Sequence, residues 1–110
     1  MADTVQVTIE GIDTPVPMEW VTISGSLDGA WELLDPISVY VYAEGDEFVA
    51  TYDDPIPINA FGVTREDAIA NLRTEIVEHL QWLEGADTAL APRLMRQRAR
   101  LRTLVRRVGA

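Results

Sequence analysis

The chain has 110 residues, the size of one domain with one core, and its 47% hydrophobic and 25% charged residues exclude a disordered or fibrous chain. It contains no cysteine, which excludes disulfides, thiolate nucleophiles and Cys-based zinc or iron–sulfur centres. The net charge of −9 conceals a segregation: residues 1–91 hold all eighteen acids and two arginines, −16, whereas residues 92–110 hold seven arginines and no acid, +7.

Met1-Ala2-Asp3-Thr4 lacks a basic region followed by an apolar run, and nowhere do about 18 apolar residues occur together. The expectation is a cytoplasmic protein with no membrane partner. Every basic residue is Arg, so the acidic body and basic tail are able to attract each other, a second copy, or different partners.

Residues 1–36 read as an N-terminal strand extension. Thr4–Ile9 alternates polar with apolar side chains and predicts a half-buried strand, followed by turn-rich residues from Gly11 to Pro17 and a second strand at Glu19–Ser24. Ser26 to Leu34 is ambiguous: Ser26 is placed to cap a short helix, which Gly29 and Pro36 limit to about two turns.

Ile37, Val39 and Val41 alternate with Ser38, Tyr40 and Tyr42, which predicts a strand. The acidic connection Glu44-Gly45-Asp46 and the β-rich run Phe48–Tyr52 complete an antiparallel hairpin. Pro55 and Pro57 then enforce an extended loop, Ile58–Phe61 forms one more short strand, and Gly62 permits a sharp turn.

Thr64 is an N-cap with Asp67 at N3, and Glu66 and Asp67 meet the positive end of the helix dipole. Ile69, Leu72, Ile76, Leu80 and Leu83 recur at helical spacing, predicting a helix over Thr64–Glu84 that stops at Gly85. After a short linker, Pro92 opens a basic helix predicted to run to Val108. Its stripe of Leu94, Leu101, Leu104, Val105 and Val108 lies opposite Arg93, Arg96, Arg100 and Arg107.

The stretch from Ile37 to about Leu83 resembles the HicB family of toxin–antitoxin antitoxins. The matching features are the strand Val39-Tyr40-Val41-Tyr42, the acidic turn, the strand Phe48-Val49-Ala50-Thr51-Tyr52 and a Pro-containing loop. They continue with Gly62-Val63-Thr64, Arg65-Glu66-Asp67-Ala68 and Asn71-Leu72. The resemblance implies a HicB-like core over residues 37–85, a small ββ(β)αβ domain of truncated ribonuclease H-like fold without that fold's catalytic acids. It also implies a partner, a small basic ribonuclease toxin of the HicA kind. Ile58-Asn59-Ala60-Phe61 departs from the family's Gly-Cys segment, and an Arg-rich helix, residues 92–108, stands where a separate DNA-binding domain would follow.

Candidate sites sort into two groups. Glu44, Asp46, Glu47, Asp53 and Asp54 form an acidic set suited to a basic partner. Asp53 and Asp54 lack placed companions for a Mg²⁺ site and are read as turn acids. His79, the only histidine, has no nucleophile or orienting group in view, and no G-x-S-x-G or phosphate loop occurs. The chain is therefore read as no enzyme, with no cofactor. Arg93, Arg96, Arg100 and Arg107, with Leu101, Leu104, Val105 and Val108, are read as packing on the domain or across a homodimer. The alternatives are nucleic-acid contact by a transcriptional regulator and a structural dimerisation module. The expected fold is α+β: an antiparallel sheet of three to five strands, one main helix on it, and a C-terminal amphipathic helix.

Overall fold

The computed structural model describes residues 3–7, 16–54, 56–86 and 90–108. The fold is α+β, as expected. Strands β1 (Asp3–Val7) and β2 (Val16–Ile23) are followed by the short β3 (Trp31–Leu33), then β4 (Ile37–Glu44), β5 (Glu47–Asp53) and β6 (Pro57–Gly62). All but β3 join one antiparallel sheet in the order β1-β2-β4-β5-β6. Helices α1 (Arg65–Glu84) and α2 (Pro92–Leu104) and a last strand β7 (Val105–Arg107) complete the described chain. Thr8 and Ile9 of the expected first strand and Gly11 to Pro15 of the turn lie outside the described residues.

Two glycines have different reasons for their places. Gly45 takes φ +62°, the sign a type II′ hairpin requires at its first central position, and the β4–β5 turn shrinks to Gly45-Asp46 with Glu44 opposite Glu47. Gly62 has no such φ. Instead α1 starts so close to β6 that a Cβ on Gly62 would sit 2.3 Å from the Ala68 amide nitrogen.

Thr64 caps α1: its backbone is extended and its hydroxyl accepts from the Asp67 N–H at 3.0 Å. The helix ends at Gly85 without a left-handed residue, closing with the Gly85 N–H on the Gln81 carbonyl. Leu72, Ile76, Leu80 and Leu83 are buried, Ile69 half-buried, and Ala68 and Val77 widen the stripe. They pack on Ile23, Ile37, Val39, Val41, Ala50, Tyr52, Ile58 and Ala60. Arg65 pairs with Glu19, and Arg73 Nη1 donates to the Ser24 carbonyl at 3.0 Å, tying α1 to β2 and the loop after it.

Two expectations are corrected. Ser26–Leu34 forms no helix, because Gly25 and Gly29 take φ +75° and +56° and fold the segment back on itself. The Leu27 N–H bonds the Trp31 carbonyl at 2.9 Å, and Trp31–Leu33 emerges as β3. The C-terminal helix stops at Leu104 rather than Val108. Val105 is extended, and residues 105–107 pair with β3 in the register Leu33↔Val105, Glu32↔Arg106, Trp31↔Arg107. A helical wheel cannot detect this, since Val105 inward and Arg106 outward fits a strand equally well. Residues 105–107 thus form a two-stranded sheet with β3 and do not join the main sheet. Among the described residues, no helix is long and apolar enough to cross a membrane.

Candidate interaction surface

Alternation along a strand assigns side chains to two faces of the main sheet. One carries Val21, Val39, Val41, Ala50 and Ile58 and is covered by α1. The other carries Trp20 on β2, Ser38, Tyr40, Tyr42 and Glu44 on β4, Glu47, Val49, Thr51 and Asp53 on β5, and Asn59 and Phe61 on β6. Among the described residues no helix packs on this second, open face.

Its centre is aromatic. Trp20 lies opposite Tyr40 in the register, their rings edge to face with centroids 5.3 Å apart, and Tyr40 stacks against Tyr42 at 6.3 Å. Trp20 is 39% exposed and Phe61 53%, while Val49, between Tyr42 and Phe61 in the register, is only 2% exposed. The Thr51 hydroxyl donates to Asn59 Oδ1 at 2.7 Å, which satisfies the polar end of the patch. Burial, then Glu44, then Tyr40 push the Tyr42 phenol above its ordinary pKa, so it stays a neutral donor.

The acidic set divides. Glu44, Glu47 and Asp53 are exposed on the open face, and Asp46 is exposed in the adjoining turn. The two groups stand at opposite ends of β5, about 20 Å apart at 3.3 Å per residue. Asp54 does not belong with them. Its Oδ2 accepts from the Tyr52 hydroxyl at 3.1 Å and from Arg100 Nε at 3.0 Å, beside a cleft of about 280 Å³ lined in part by Ser38 and Asp53. Burial first, and the Asp54 carboxylate second, push the Tyr52 phenol up to about 12. Among the described residues no group of three or more His, Asp or Glu is arranged to hold a metal ion.

The basic tail is docked on its own body. Arg100 pairs with Asp54, Arg102 with Glu84 at 2.5 Å, and Arg106 with Glu32. The Glu84 carboxyl is held below its usual range, chiefly by the hydrogen bond from Arg102. Leu101, Leu104 and Val105 are buried in the chain's own core, the first of the two packings expected for the stripe. Val108 stays 43% exposed. Arg93, Arg96 and Arg107 are exposed and, among the described residues, have no carboxylate within ion-pair distance. Burying a leucine is worth about 1.5–3 kcal/mol and an exposed ion pair about 0–1 kcal/mol, so packing outweighs charge in seating α2.

His79 is half-buried, stacks on Trp82 with centroids 5.7 Å apart, and bonds the fully buried Gln97. Sequence reasoning missed Gln97, a polar residue at the stripe position one turn after Leu94. It also did not name Tyr40 and Tyr42 as site residues of the uncovered sheet face it expected, although their alternation with Val39 and Val41 carried the signal. No family model, no curated protein and no solved structure matches this chain.

Proposed function

We propose that this chain is a non-catalytic binding protein that holds a basic partner protein against its open sheet face. That is the role of an antitoxin toward a small basic ribonuclease, which the HicB resemblance implies, and its setting would be the cytoplasm. The observation that carries the reading is the pairing of aromatic centre and acidic rim: Trp20, Tyr40, Tyr42 and Phe61 lie between Glu44 and Glu47 on one side and Asp53 on the other. The first 64 residues contain no Lys or Arg, so all six strands before α1 lack a positive charge. Aromatic centres supply binding energy, and acidic rims steer and select a cationic partner.

A homodimer through this same face would set two acidic rims against each other, a repulsion that a basic partner turns into attraction. Nucleic acid would have to use Arg93, Arg96, Arg98 and Arg107, since Arg100, Arg102 and Arg106 are already paired.

The test is co-expression with the product of the neighbouring reading frame. A basic product that co-purifies with the folded chain and is released by Trp20→Ala with Tyr40→Ala supports the reading. A product that stays apart at low salt removes it, and so does one that binds the double variant as well as the parent.

A further inference from the structure

We infer that the element docked on the open face is a basic amphipathic α-helix of the partner, lying across the strands; this rests on the function proposed above. The register defines two rows that cross the strands: Trp20, Tyr40, Thr51 and Asn59 in one, and Tyr42, Val49 and Phe61 in the next. Strands spaced about 4.8 Å apart make the longer row about 14 Å, and the rows stand about 6.8 Å from each other. Beyond the first row lies Asp53, and beyond the second lies the pair Glu44 and Glu47, with Asp46 in the turn.

The partner's shape follows from these spacings. The acids flanking the two rows are about 20 Å apart. An α-helix with its side chains is about 10–12 Å across, so its axis fits between the rows and its basic side chains extend to carboxylates on both sides. The apolar stripe of that helix would rest on Tyr42 and Phe61, over the buried Val49 between them. Guanidinium groups on its flanks would meet the Tyr40 and Trp20 rings before reaching the acids, gaining cation–π attraction on the way. An extended peptide laid across the strands is too narrow to reach both acidic edges. The edges are also unequal: Glu44, Asp46 and Glu47 face Asp53, so the helix flank toward the β4–β5 turn carries more positive charge than the other.

The probes are three synthetic peptides of identical length, titrated into the full chain by calorimetry and circular dichroism. The first has a leucine stripe flanked on both sides by arginine, the second scrambles that composition so the stripe is lost, and the third carries glutamate in place of arginine. The striped basic peptide is expected to bind at least tenfold more tightly than the scrambled one, and to become helical on binding. The acidic peptide is expected not to bind. Tyr40→Ala with Phe61→Ala is expected to cost at least tenfold. Glu47→Gln and Asp53→Asn, at exposed positions, keep the test readable if the aromatic truncations fail to fold, and each is expected to reduce the salt dependence of binding. Equal binding of the striped and scrambled peptides overturns the inference and leaves a purely electrostatic surface, without touching the co-purification result. Binding that ignores every face variant overturns it as well, as does binding of no basic peptide.

Discussion

Gln97 Oε1 lies 2.7 Å from His79 Nε2, across the contact between α2 and α1. Gln97 Nε2 donates to the Ile56 carbonyl at 2.8 Å, and because that carbonyl can only accept, the orientation of the amide is fixed. Its oxygen therefore faces His79, whose Nε2 must carry the hydrogen. One buried side chain thus links α2 to α1 and to the loop before β6. It leaves no buried side-chain polar atom unpaired among the described residues.

Replacing Gln97 with Leu is expected to destabilise the protein by about 1–3 kcal/mol even though it adds apolar surface, because the Ile56 carbonyl and the His79 N–H lose their partner. Urea unfolding measures this directly. A Leu variant as stable as the parent would show that solvent reaches both groups.

Gly62→Ala should cost about 1–3 kcal/mol, toward the upper end. The new Cβ would meet the backbone of Ala68 and Asp67 at 2.3 and 2.6 Å, and backbone has no rotamer to yield. Gly45→Ala tests a different cause, the φ of +62° in the hairpin turn, with open space around the added methyl. Thermal melts of the two variants separate steric overlap from backbone strain.

The tail is held by packing, so Leu101→Ala is expected to cost about 2–5 kcal/mol and Arg102→Ala far less. Raising salt should lower the melting temperature only slightly. A steep loss of stability with salt would mean that the ion pairs to Asp54, Glu84 and Glu32 dominate.

Tyr52 sets an alkaline limit. An unfolded tyrosine ionises near pH 10, as a rough reference. The folded phenol is pushed up to about 12 by burial and by Asp54. Between those values the unfolded state releases its proton while the folded state keeps it, so stability is full below about pH 10 and falls as pH rises toward 12. Tyr52→Phe should flatten that fall, read as the pH dependence of the urea midpoint. An unchanged slope would assign the effect to another group.

Local chemistry determined much of this protein before any tertiary contact formed. The Thr64 cap with Asp67 at N3, the stripe from Leu72 to Leu83 and the alternation from Ile37 to Tyr42 are written in neighbouring residues, and each formed where short-range spacing placed it. Charge segregation was equally legible, since no Lys or Arg precedes Arg65. Three decisions needed the assembled molecule because they turn on residues far apart in the chain. Val105–Arg107 became a strand because β3, more than 70 residues earlier, offered unpaired backbone at that place. Asp54 left the acidic set because Arg100 reached it across 46 residues. Trp20, Tyr40, Tyr42 and Phe61 became one surface only when strand register set them side by side, since alternation says which side chains share a face of one strand but not which strands are neighbours.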